Sequence, residues 1–186
     1  MHPAETAPTF DELRELLGEP GFTGADPAAW TALERELGLV LPADYRHFLD
    51  AYGAILINNQ LTLFHPATRW FNLAEAIRDE PERWADVDPE VLPPHPFGTG
   101  PGELFPWGHS ACGARVYFRL PRDAADPWAV GVIDRVELDY LEHPLTFTAW
   151  MLAYLRGEDP GLDSAHFAPG RPFFRVLPQP DDPGSG

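Results

Sequence analysis

Apolar residues recur at helical spacing three times before the period first changes. Phe10, Leu13, Leu16 and Leu17 share one face, Thr9 and Glu12 form a capping box, and Gly18 stops the run. This predicts a short helix over 10–17. After a loop at 18–25, Asp26 offers an N-cap and Pro27 a first helical position. Trp30, Leu33 and Leu37 then form a stripe that ends at Gly38. Leu39-Val40-Leu41 is a short apolar link. Pro42 opens a third helix with Tyr45, Phe48, Leu49 and Tyr52 on one face, closed by Gly53.

Alternation follows. Ile55, Ile57, Leu61 and Leu63 flank Asn58-Asn59-Gln60, which reads as two short strands and a turn. Residues 70–80 return to a helical pattern. Residues 81–103 hold six prolines and three glycines and read as a long irregular excursion. Strands are expected at 104–107, at 115–120 with Val116, Phe118 and Leu120 on one face, at 128–133 and at 136–140. Leu145 to Leu155 is helical and Gly157 ends it. The pattern predicts an α+β fold with N-terminal helices packed on a mainly antiparallel sheet and a C-terminal covering helix. Residues 1–8 are expected to be a loose arm, 9–157 a single domain and 158–186 a Pro- and Gly-rich tail. In that tail Phe173 to Leu177 is the apolar patch able to dock or to pair at a sheet edge.

Composition narrows the function. Of 186 residues 44% are apolar, which excludes wholesale disorder, and no apolar run approaches the length of a membrane span. The first ten residues lack both a basic residue and an apolar run, so no signal peptide is expected. The single cysteine, Cys112, excludes an intrachain disulfide and multi-cysteine metal sites, and the expected location is the cytoplasm. The net charge is −16, from 29 acids against 13 bases. The expected partner is therefore a basic protein, with no nucleic acid and no membrane. Every base is an arginine. The absence of lysine removes Schiff-base chemistry and the phosphate-binding lysines of kinases and P-loops.

Candidate chemistry is sparse. Gly108-His109-Ser110-Ala111-Cys112 lacks the fifth-position glycine of a hydrolase elbow and leads into a strand instead of a helix. His109 and Cys112 could form a thiol–imidazole pair, with only Arg115 near to stabilise a thiolate. The seven histidines form no ligand spacing, and His47 falls on the polar side of its helix. Gly98, Gly100 and Gly102 neither follow a strand nor open a helix, so they are no dinucleotide fingerprint. No cofactor and no metal are expected. What stands out is the stretch 75–90. There Glu75, Asp79, Glu80, Glu82, Asp86, Asp88 and Glu90 face only Arg78 and Arg83, and Trp84 sits at the centre. Its bland reading is a solvated helix face; its functional one is an aromatic anchor ringed by acids, the candidate partner-binding site. Asp134, Glu137, Asp139 and Glu142 are the next candidates.

One run resembles a known family. Trp30-x-x-Leu33-Glu34-x-x-Leu37-Gly38-x-x-Leu41-Pro42-x-Asp44-Tyr45-x-x-Phe48-Leu49, followed by Tyr52-Gly53, is similar to the opening signature of the SMI1/KNR4 (SUKH) superfamily. Leu104 to Gly108, Gly113 to Leu120 and Phe147 to Leu155 resemble its later strands and closing helix, so the likeness covers about 26–157. Tyr52 stands where members often carry Asn, and Gly113-Ala114 where they often show Gly-Asp. The resemblance implies a non-enzymatic protein-binding domain. The implied role is an immunity protein that neutralises a cognate toxin, a nuclease among the options. The alternatives are an intracellular regulatory or scaffold domain, or a hydrolase-like enzyme using the Ser110/Cys112 region.

Overall fold

The computed structural model describes residues 8–134, 137–158, 161–162 and 171–177. Residues 1–7 of the expected arm at 1–8 and most of the expected tail at 158–186 lie outside the described residues.

The first three helices form where their caps dictate. Helix α1 spans Phe10–Leu17, with the Thr9/Glu12 capping box closed in both directions. Helix α2 spans Pro27–Leu37. The Asp26 carboxylate accepts from the Ala28 amide, and Gly38 supplies the left-handed stop at φ 70°. Helix α3 spans Ala43–Tyr52. The polar residues of the signature run prove to be architectural. Glu34 accepts from the Leu41 amide at 2.9 Å and from Arg46 at 3.0 Å. Asp44 accepts from the amide and hydroxyl of Thr148, at 3.0 and 3.1 Å. The Trp30 indole donates to Asp50 at 2.6 Å.

Strands β1 (Ile55–Ile57) and β2 (Leu61–Leu63) make the expected hairpin. Its turn needs two residues at positive φ, and Asn58 (52°) and Asn59 (55°) supply them. Helix α4, Leu73–Arg83, intervenes before β3 (Leu104–Ser110), β4 (Arg115–Arg119), β5 (Ala129–Ile133) and β6 (Tyr140–His143). Helix α5 (Phe147–Leu155) and β7 (Phe174–Val176) complete the order. Among the described residues seven strands form one antiparallel sheet, β6-β5-β4-β3-β2-β1-β7. The expected α+β class and antiparallel sheet hold, and the apolar patch of the tail pairs with β1 at the sheet edge.

One sheet face carries the main core. Phe105, Trp107, Val116, Phe118, Val130 and Val132 meet Tyr45 and Phe48 from α3 and Phe147, Trp150 and Met151 from α5. The aromatic rings meet largely edge to face, as at Tyr45–Phe118 (5.0 Å) and Trp107–Trp150 (5.3 Å). The opposite face carries a smaller core of Trp84, Leu104, Tyr117 and Ile133. Gly131 leaves room on this side for the Tyr140 ring, which a Cβ there would meet at 2.5 Å.

Several boundaries differ from expectation. Strand β3 runs on to Ser110 past a bulge between Pro106 and Gly108, which accommodates a proline in an interior strand. The strand expected at 136–140 begins only at Tyr140. Asp134 and Asp139 first close a turn, with the Asp134 amide donating to the Asp139 carbonyl at 3.1 Å and Leu138 at φ 57°. Helix α4 starts at Leu73, later than expected, and passes through Pro81. The segment 84–103 is no free excursion. Val87, Leu92 and Phe97 pack on the outer core, and Phe97 bridges Leu104.

Candidate functional site

Helix α4 sorts the acidic stretch into two faces. Asn72 caps it, accepting from the amides of Ala74 (3.0 Å) and Glu75 (3.2 Å). Leu73, Ile77, Glu80 and Trp84 recur at intervals of four, three and four residues and lie on the buried side. Glu75, Asp79, Glu82 and Asp86 recur at the same intervals and are exposed. Asp88 and Glu90 are exposed too, with Asp88 capping the 3-10 turn Pro89–Val91. None of these six exposed carboxylates forms an ion pair among the described residues. Arg78 is committed elsewhere, to Glu36 at 2.7 and 3.1 Å. Its hydrogen bonds hold the Glu36 carboxyl below the usual carboxylate range.

Two of the expected contact residues are not on the surface. Glu80 is 1% exposed and Trp84 9%. Glu80 accepts from Arg115 (Nε at 2.8 Å, with a second bond from the other nitrogen), from the Tyr117 hydroxyl and from the Trp84 indole at 2.8 Å. Burial and the adjacent Glu80 carboxylate push the Tyr117 hydroxyl well up. The Trp84 ring stacks on Phe97 at 5.0 Å and 15°. The expected aromatic anchor is therefore packed inside its own domain, and Glu80 is a buried hub instead of a steering charge.

The signal for this arrangement lay on β4. Its alternate residues Arg115, Tyr117 and Arg119 point away from the main core, the reverse of Val116 and Phe118. Arg119 is 5% exposed. It donates to Asp126 at 2.7 and 3.1 Å and to Glu142 at 3.0 Å, so Glu142 is already engaged. The second candidate group is thus reduced too, although Glu137 and Asp139 remain exposed.

Sequence reasoning also passed over Trp70 and Phe71, the two residues immediately before the α4 cap. They are 55% and 39% exposed. Phe71 lines an open groove of about 390 Å³ together with Glu75, Asp79 and Arg83 of α4, Phe64 just after β2, and His109 and Arg115 of the sheet. Burial first, then the nearby Arg115 and Arg83 guanidiniums, lowers the His109 imidazole below its ordinary value.

The nucleophile candidates do not assemble. Ser110 is 3% exposed, and its Oγ accepts from the Ala114 amide at 3.0 Å, closing the β3–β4 turn. His109 and Ser110 are consecutive on a strand and face opposite sides of the sheet. Cys112 sits exposed in the turn beyond. Among the described residues no three His, Cys, Asp or Glu side chains are grouped to hold a metal ion, and no helix is long and apolar enough to cross a membrane.

An antiparallel sheet with α3 and α5 on one face, and on the other the end of α4 with its buried salt-bridge hub, defines an α+β domain. A family model described as SMI1-KNR4 cell-wall (SUKH_6) matches residues 28–144, from the first turn of α2 to the residue after β6, and the chain belongs to that family. No curated protein and no solved structure matches it.

Proposed function

We propose that this chain is a non-enzymatic protein-binding domain of the immunity-protein kind, which neutralises a basic toxin partner, a nuclease among the candidates, by covering it with an acidic surface. The observation that carries the reading is the row of unpaired carboxylates at Glu75, Asp79 and Glu82 along one side of α4, continued past its end by Asp86, Asp88 and Glu90. Like charges held close together cost stability unless a partner of opposite charge meets them. Family membership supports a role of this type. The domain acts in the cytoplasm and needs no cofactor and no metal.

The test is whether a neighbouring gene encodes a toxin domain and, with that domain in hand, co-expression of the two. The wild type restores growth of the host and binds the purified toxin domain. The triple variant E75Q/D79N/E82Q associates more slowly at low salt and with a flatter salt dependence. Protection with no change in association would remove the acidic surface from the account. Failure to protect or bind would leave the regulatory or scaffold reading.

A further inference from the structure

The loop before α4 is built to hold two aromatic side chains out in solvent. The Thr68 hydroxyl donates to the His65 carbonyl at 2.9 Å. Asn72 Nδ2 donates to the carbonyls of Thr68 (2.7 Å) and Pro66 (3.0 Å), while its Oδ1 caps α4. The His65 amide donates to the Phe71 carbonyl, and the Leu73 amide to the His65 carbonyl. His65 itself is wholly buried. Phe71 is held at φ 55°, a left-handed conformation that a bulky aromatic rarely adopts. The loop is fixed, yet its largest side chains are left in water. Of the six tryptophans, Trp30, Trp84, Trp107 and Trp150 are buried and Trp128 is partly buried, which leaves Trp70 exposed at 55%.

Both signs of charge approach the pair, and the acidic excess lies along the exposed side of α4. The Arg69 guanidinium lies 6.0 Å from the Trp70 ring centre, Arg78 is bound to Glu36, and Arg83 leans to within 3.6 Å of the buried Glu80. Glu75 and Asp79 line one groove with Phe71, which Arg83 and Arg115 also reach, and Glu82 extends the exposed acidic row along α4 beyond the groove. Resting on the protein-binding reading above, we infer that Trp70 and Phe71 are the apolar anchor of the partner surface and that Glu75, Asp79 and Glu82 form its charged flank. The occupant is a basic protein. One of its apolar side chains packs on the aromatic pair while its arginines or lysines meet the acidic row. Exposed tryptophan beside a charged rim is the composition of an interface hot spot, and a preset loop lowers the ordering cost of binding. The anchor that sequence placed at Trp84 thus sits at the opposite end of the same helix.

The experiment places photoreactive benzoylphenylalanine at position 70, and separately at Val40 and Leu141, in the full chain in its source cell. The adducts formed on irradiation are then identified. The expected result is an adduct at 70 to a basic protein. With that protein purified, W70A dissociates roughly tenfold faster or more, and E75Q/D79N/E82Q associates more slowly with a weaker salt dependence. An unchanged melting midpoint in W70A separates contact loss from misfolding. Adducts confined to 40 or 141 overturn this surface and leave the protein-binding reading standing. Adducts at no position overturn both. An acidic partner, or unaltered dissociation in W70A, overturns the anchor.

Discussion

Glu80 receives donors from three side chains besides a close approach of Arg83, and it is 1% exposed. A buried carboxylate of this kind is costly to desolvate, so its net worth is small while its partners stay in place. Removing it alone is another matter, because the Arg115 charge and the Tyr117 and Trp84 donors are left behind. Glu80→Ala is expected to cost roughly 3–5 kcal/mol in urea unfolding; a loss under about 1 kcal/mol would show that water reaches the hub. His65 gives the complementary case. Its Nδ1 accepts from the Ala67 amide at 3.1 Å, so the neutral ring carries its proton on Nε2, 3.8 Å from Asp50. Burial pulls its pKa down to about 4, and Asp50 only partly offsets this. The unfolded chain therefore binds more protons than the folded one between the ordinary histidine value and about pH 4. Stability is full above about pH 6.5 and falls as pH drops through that window, with a slope from this group of at most about 1.4 kcal/mol per pH unit. Unfolding free energies of wild type and His65→Asn, measured from pH 7 to 4, should converge at the acid end. Parallel curves would show that His65 takes its proton freely.

At the scale of elements, what could be read ahead was whatever local chemistry decides. Capping residues set α1 and α2, and Asn58-Asn59 set the β1–β2 hairpin. What could not be read was decided by packing. Pro81 signals a helix end, yet α4 continues for two residues beyond it because Glu80 and Trp84 are fastened to β4 and the outer core. Val87, Leu92 and Phe97 follow no period, so their segment looked unstructured until the outer sheet face gave it a surface to cover. Strand β7 shows the same dependence. It has three residues, and its order comes from β1, from the Asn58 side chain accepting the Phe173 amide at 3.0 Å, and from Phe174 meeting Tyr52 edge-on at 5.1 Å. Cutting the chain after Leu162 uncovers the β1 edge. This is expected to cost about 1–2 kcal/mol, a drop of roughly 2–8 °C in melting midpoint. It should also promote self-association, since an open edge is a pairing template. A truncated protein that stays monomeric by light scattering, with the midpoint unmoved, would show that β7 contributes nothing to the sheet.

For the whole molecule, the candidate surface was half legible. Composition located the acidic stretch, but only the four-three-four spacing of Leu73, Ile77, Glu80 and Trp84 says which side of the helix is buried, and a tryptophan amid acids drew the eye the wrong way. Charge acts beyond any one contact. With 29 acids against 13 arginines, added salt has two opposing effects. It weakens exposed pairs such as Arg78–Glu36 and Arg156–Glu12, whose attraction solvent already screens. It also screens the mutual repulsion of the surplus acids, as the Debye length shrinks from about 30 Å at 0.01 M to about 8 Å at 0.15 M. The deeply buried Glu80–Arg115 pair barely feels either change. Repulsion is the larger sum, because the surplus is spread over the surface while the exposed pairs are few. The melting midpoint is therefore expected to rise between 0.01 and 0.15 M sodium chloride and then level off. The variant E75Q/D79N/E82Q should melt higher than wild type at low salt, with the gap narrowing at 0.15 M. A midpoint that falls with salt would mean that the ion pairs outweigh the repulsion, and that the α4 carboxylates are compensated within the fold rather than left for a partner.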